Sequence, residues 1–175
     1  MTRRTPLVIR QAGVRDIAAL ARMRCDDSME DAPQSARSPG SAQAFVEFGE
    51  GFAAFVERAL ASGRWVIWVA EDNGQVVAQL YVQVVEKLPR PGRLVARWGY
   101  ATAVYTLPAF RNRGIGSLLL RRVVEWAEEQ GLEFLLLWPS DRSVPFYERA
   151  GFSRSPDALE LHLGGRRSHE APPDR

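Results

Sequence analysis

Tyr105-Thr106-Leu107-Pro108-Ala109-Phe110-Arg111-Asn112-Arg113-Gly114-Ile115-Gly116-Ser117 runs from the end of an apolar strand, through a turn rich in Arg and Gly, straight into a helix. At a helix start several backbone N–H groups lack intrahelical partners, and the macrodipole presents partial positive charge there. Gly114 and Gly116 carry no side chain to keep an anion off those donors. Arg111 and Arg113 can add charge-assisted hydrogen bonds. Such a turn suits a pyrophosphate. It equally suits a plain surface bend. The dinucleotide fingerprint is not met, because Leu119 stands where a third glycine belongs. No Gly-Lys-Ser/Thr triplet exists, which argues against an ATP or GTP P-loop.

Upstream of this stretch, Trp98 to Thr106 reads as a strand that Leu107-Pro108 stops. Before it stands a hairpin: Trp65–Ala70, a turn at Asp72-Asn73-Gly74-Gln75, and a return strand. Asn-Gly tolerates the positive φ angles of a type I′ turn. Alternation predicts Val76, Ala78, Leu80, Val82 and Val84 on one side of the return strand, with Gln79 and Gln83 on the other. Pro89-Arg90-Pro91-Gly92 predicts a second turn. Earlier still come a short strand at Leu7–Arg10 and a helix from Val14 to about Met29. A loop at Asp31–Gly40 follows, then a helical segment marked by Phe45, Phe48, Phe52, Phe55, Val56 and Leu60. Gly49 and Gly51 are expected to break that segment, since each weakens a helix.

Downstream, a helix from Gly116 to Gln130 turns Leu119, Val123, Trp126 and Ala127 inward and ends at Gly131. Phe134–Trp138 is apolar throughout, the pattern of a strand covered on both faces. A short helix around Pro145–Arg149 ends at Gly151, and Leu159, Leu161 and Leu163 alternate in a last strand. The order β-α-α-β-β-β-α-β-α-β predicts an α/β fold with a mixed sheet, helices on both faces and one parallel crossover from 98–106 to 133–138. Residues 1–163 form one domain in this reading, and 164–175 a disordered tail.

Composition narrows the class. Apolar residues make up 46% of the chain, enough to bury a core. A net charge of +2 is too balanced for a nucleic-acid binder built on a broad basic field. The pI near 9.0 reflects arginine, since Lys87 is the single lysine. Cys25 stands alone and fits a reducing compartment. The start of the chain lacks the apolar stretch of a signal peptide, and no run approaches the roughly 20 residues that span a bilayer. His162, His169 and Cys25 do not make a metal site of plausible spacing. A cytoplasmic protein without nucleic-acid, membrane or metal partners is expected.

With these residues in view, the chain resembles the GNAT superfamily of CoA-dependent N-acetyltransferases. The family's Arg/Gln-x-x-Gly-x-Gly/Ala signature reads Arg111-Asn112-Arg113-Gly114-Ile115-Gly116, with Pro108 just upstream. A second block, Tyr-Glu-x-x-Gly-Phe, reads Tyr147-Glu148-Arg149-Ala150-Gly151-Phe152. The element order matches from about Leu7 to Leu163. The resemblance implies a mixed, mostly antiparallel twisted sheet and an acetyl-CoA-dependent acyltransferase acting on a primary amine by direct transfer in a ternary complex.

Residue by residue, the resemblance implies that amides from Asn112, Arg113, Gly114, Ile115, Gly116 and Ser117 hold the CoA pyrophosphate. Val104, Tyr105 and Thr106 would offer their backbone to the pantetheine arm. The Val104 N–H would polarise the thioester carbonyl, an oxyanion-type contact. Tyr147 matches the family's general acid, which protonates the departing thiolate. Many relatives carry Asn where this chain has Ser140, whose hydroxyl can still cap the last helix and bond the pantetheine. The family often acts as a dimer, so a homodimer is open here.

No carboxylate lies in the strand 98–106, so the base that takes the amine's proton is open: Glu86, Tyr100, Tyr105 or a water path. Asp26, Asp27, Glu30 and Asp31 would either attract a cationic amine or form a solvated helix end. Cys25 has no sequence-visible base, which argues against a covalent acyl-enzyme. A catalytically inactive CoA-binding sensor of the same fold is the alternative reading.

Overall fold

The computed structural model describes residues 6–31 and 42–155. Its elements are β1 (Val8–Gln11), α1 (Ile17–Asp31), α2 (Ala42–Ser62), β2 (Trp65–Asp72), β3 (Gln75–Glu86), β4 (Arg97–Thr106), α3 (Ile115–Glu129), β5 (Leu135–Leu136) and α4 (Val144–Glu148). The five strands form one sheet in the order β1-β2-β3-β4-β5. Every pair is antiparallel except β4 with β5, the expected parallel crossover carried by α3. The last expected strand, at Leu159–Leu163, and the tail lie outside the described residues.

Period-2 alternation places a core on each face of the sheet. On one face Trp68, Ala78, Leu80 and Val82 pack against Leu119, Leu120 and Val123 of α3. On the other, Ile67, Val69 and Tyr81 pack against Leu20 of α1 and Val56 of α2. The β2–β3 turn has φ +51° at Asn73 and +80° at Gly74, the I′ geometry that Asn-Gly permits. The amides of Gly131 and Leu132 bond the carbonyls of Glu128 and Ala127, a Schellman closure of α3 around a left-handed Gly131.

Four expectations need correction. The second helical segment is continuous through Gly49 and Gly51, where an added Cβ would meet nothing within 4 Å. Neither glycine marks a close approach, and the packing of Val56 and Ala59 holds the helix together. Its aromatic series is only half core: Phe52 and Phe55 pack inward, while Phe45 and Phe48 are exposed. Val76 falls on the α1–α2 face, because Val77 is an extra residue in a β-bulge between Ala70 and Glu71 pairings. Finally, the apolar run Phe134–Trp138 pairs only at Leu135–Leu136, and Phe134 and Trp138 are exposed. Its rings are spent on neighbours: Phe134 stacks on Trp98 and Trp138 meets Tyr100 edge-on, with centroids 5.4 and 4.9 Å apart.

Candidate functional site

The site begins with a defect in β4. Gln79 pairs with Tyr105 and Tyr81 with Thr102, so Leu80 alone faces Ala103 and Val104. This bulge bends the strand and interrupts the ladder. Ala103 takes φ +49°, a left-handed conformation that costs an alanine about 1–2 kcal/mol. On its other side β4 pairs with β5 only at Gly99 and Tyr100. From Ala101 to Thr106 that edge lines an open cleft of about 890 Å³ instead.

Beyond Thr106 the chain makes a 3-10 turn at Pro108–Phe110 and enters α3. Asn112 has φ +59° and Gly114 φ +75°, and no side chain caps the helix. Regular pairing starts only when the Leu118 amide reaches the Gly114 carbonyl. The amides of Ile115, Gly116 and Ser117 therefore lead the helix as open donors at the cleft wall. A Cβ on Gly116 would stand 3.5 Å from Thr106 Oγ1 and 3.7 Å from the Phe146 ring. This cradle fits a pyrophosphate: it is uncapped, cationic by dipole, and free of side chains where the anion approaches.

The two arginines of the turn do different work from the amides. Arg111 Nε donates to the Thr106 carbonyl at 2.8 Å, and its NH2 bonds both Glu30 oxygens at 2.8 Å. Tyr105 Oη donates to Glu30 Oε1, also at 2.8 Å. Arg111 thus ties α1 to the turn. Arg113 leaves the cleft altogether, lying 4.0 Å from Asp72 and over the Phe110 ring. Burial pushes the Glu30 carboxyl up, but hydrogen bonds from Tyr105 and Arg111 hold it below its ordinary value. Tyr105 is pushed up by burial and by Glu30, which makes it a donor rather than a base.

Across the cleft stand Ser140, Arg142, Phe146, Tyr147 and Arg149. The Tyr147 ring is held edge-on by Phe146 and Phe152, with centroids 5.0 and 5.8 Å away. Burial, with the charge of Asp27 adding, pushes its hydroxyl up to about 12. Such a phenol keeps its proton throughout the neutral range. Ser140 does not cap the following turn; its hydroxyl meets Ser143 Oγ at 3.1 Å.

The structure therefore brings Val104, Tyr105, Thr106, Arg111, Asn112, Gly114, Ile115, Gly116, Ser117, Ser140 and Tyr147 to one cleft, and leaves Arg113 out of it. It does not bring Glu86 there. Glu86 pairs with Arg97 at the opposite end of β4, roughly 20 Å from Val104 at about 3.3 Å per residue. Tyr100 also stays outside, bonding Thr102 Oγ1 at 3.3 Å. The acidic group of α1 divides: Asp27 and Glu30 line the cleft, each beside an arginine. Sequence reasoning missed Arg24, which lines the same wall. Its signal was the three-residue spacing of Arg24, Asp27 and Glu30, a single stripe along a helix. Among the described residues no group of His, Cys, Asp and Glu is placed to hold a metal ion, and no helix is long and apolar enough to cross a membrane.

A split sheet edge leading into an uncapped glycine turn is a geometry suited to an extended, anion-bearing ligand. The model of the acetyltransferase (GNAT) family matches residues 27–152, and the chain belongs to that family. A predicted acetyltransferase from Clostridium acetobutylicum, solved with acetyl-CoA, superposes with a TM-score of 0.72 at 26% identity, over 90% of this chain and 97% of that one. A GCN5-related N-acetyltransferase from Ralstonia eutropha superposes with a TM-score of 0.68 at 26% identity, over 91% and 100%. Among curated proteins, glucosamine 6-phosphate N-acetyltransferase of Trypanosoma brucei brucei is 28% identical over 97 residues. That match spans 55% of this chain and 64% of the relative's length.

Proposed function

We propose that the protein is an N-acetyltransferase that moves the acetyl group of acetyl-CoA to a primary amine of a small-molecule acceptor, by direct transfer in a ternary complex. One observation carries this reading. The β4 edge from Ala101 to Thr106, freed from β5, runs directly into the uncapped turn before α3. An extended pantetheine arm could add to that edge as a strand does, with its pyrophosphate on the amides of Asn112–Ser117. When bound, acetyl-CoA supplies an activated thioester.

The chain's own groups then have distinct tasks. The Val104 N–H, at the bulge that interrupts the ladder, donates toward the carbonyl oxygen as negative charge develops there. Tyr147 donates its O–H toward the sulfur as the C–S bond breaks and the new N–C bond forms. A phenol near 12 is a weaker acid than an ordinary thiol near 8.5. Its contribution is accordingly a hydrogen bond that offsets charge on sulfur, held ready at every neutral pH. The ammonium form of the acceptor loses one proton to solvent before attack, since it has no lone pair. The nitrogen sheds a second as the amide forms, which balances the proton the departing thiolate takes up to become the CoA thiol. Cytoplasmic location belongs to this reading through the lone Cys25, and a homodimer through the family resemblance.

Thiol release from acetyl-CoA against a panel of amines tests the proposal, with Tyr147→Phe as the control. The expected result is turnover that falls roughly 10- to 100-fold in the variant, as for loss of a hydrogen bond to a developing charge, with acetyl-CoA affinity kept. Binding of acetyl-CoA without turnover on any amine would favour a CoA sensor. Absence of binding overturns the proposal.

A further inference from the structure

The α1 wall of the cleft carries a pair of opposite charges. Arg24 NH1 and Asp27 Oδ2 lie 2.7 Å apart on adjacent turns of α1, and both side chains line the cleft with Val104 and Tyr147. Arg24 is 41% exposed and Asp27 14%, so the guanidinium stands outward of the carboxylate. NH1 is the one Arg24 nitrogen that bonds a side chain among the described residues, and the rest of the guanidinium fork remains for a ligand. Asp27 also raises the hydroxyl of Tyr147, which puts its charge within electrostatic reach of the group proposed to meet the sulfur.

Resting on the N-acetyltransferase reading, we infer that the acceptor is an amine that also carries an anionic group, a carboxylate or a phosphate. The amine end lies against Asp27, facing the transfer groups. The anionic end lies against Arg24, three residues away and about 4.5 Å along the helix axis. A lone cation such as a polyamine would meet Asp27 together with the repulsion of Arg24. A ligand bearing both charges complements both members of the pair, and opposite-charge recognition of this kind sets specificity more than raw affinity. Arginine suits the anionic end because its planar fork matches carboxylate and phosphate alike.

The test compares matched acceptors on the full chain by thiol release from acetyl-CoA. Each α-amino acid is set against its amide, and each amino sugar phosphate against the free amino sugar. The anionic member of at least one pair should have a KM lower by about tenfold, the worth of one charged hydrogen bond. Arg24→Gln should raise KM for that member by a similar factor and lower KM for its amide or free-sugar counterpart, since the repulsion of Arg24 is gone, with acetyl-CoA affinity kept. Arg24→Lys should restore part of the loss, which a structural role of the helix pair would not produce. The pair that responds tells carboxylate from phosphate. Equal use of charged and neutral acceptors, with Arg24→Gln silent, overturns this inference and leaves the enzyme standing. No turnover on any acceptor overturns both.

Discussion

The two halves of β4 share one strand and have opposite fates. From Arg97 to Tyr100 the strand is in register with β3, and Gly99 and Tyr100 also pair with β5. Gly99 is buried there, and an added Cβ would lie 2.6 Å from Leu135 Cδ2 and 2.9 Å from Val82 Cγ1. From Ala103 to Thr106 the strand is bulged, carries a left-handed alanine and faces the cleft. The first half is close-packed and the second has space beside it. A sheet makes a ligand edge by abandoning a pairing, and here the bulge lies within the stretch that has lost its β5 partner.

Filling the packed half should cost the most. Gly99→Val is expected to destabilise the protein by about 1–3 kcal/mol through overpacking, read as a lower Tm. If Tm held, the first half would be looser than the geometry says. The open half should tolerate more. Gly114→Ala, at φ +75°, is expected to cost about 1 kcal/mol and to weaken acetyl-CoA binding. Gly116→Ala has only ordinary contacts to meet, and a stability change within about 0.5 kcal/mol is expected. Equal losses at the two glycines would break the assignment of the turn's geometry to Gly114.

The mildest probe is acid, which acts on the tie between α1 and the open half. The folded Glu30 carboxyl lies below its ordinary value of 4.5. Its contribution is therefore present above that pH and is lost as pH falls through the folded value. The Tm difference between the native protein and Glu30→Gln should be constant near neutrality and shrink below about pH 4.5. A difference that grew on acidification would reverse the sign and remove the Arg111–Glu30–Tyr105 tie as a stabilising contact.

Three arginines show how little residue type says about role. Arg10 sits between Asp16 and Glu71, with contacts of 2.8 and 2.6 Å, and Asp16 is 4% exposed. Asp16 also accepts the Gly13 amide, which fixes the entry into α1. Arg10 lies on β1, far in sequence from the turn that drew attention to Arg111 and Arg113. Yet Arg111 proves to be a tether of the same kind, and Arg113 faces Asp72.

Much of the architecture was legible in the sequence because it rests on short-range rules. Asn73-Gly74 specified its turn, and Gly131 ended α3 through its left-handed backbone. The 3.6-residue recurrence of Leu119, Val123, Trp126 and Ala127 specified the buried face of that helix. The two family blocks, Arg111–Gly116 and Tyr147–Phe152, located both sides of the cleft. What the tertiary structure decided depends on register between distant segments. The bulge at Ala103 arises from how β4 meets β3, and no local pattern records it. The apolar run at Phe134–Trp138 became two paired residues because β4 meets it only at Gly99 and Tyr100. Arg111 turned to Glu30, Glu86 was carried to the far end of the sheet, and Arg24 with Asp27 arrived at the cleft wall. Each of these follows from long-range pairing, in which a shift of one residue reverses every side chain's face.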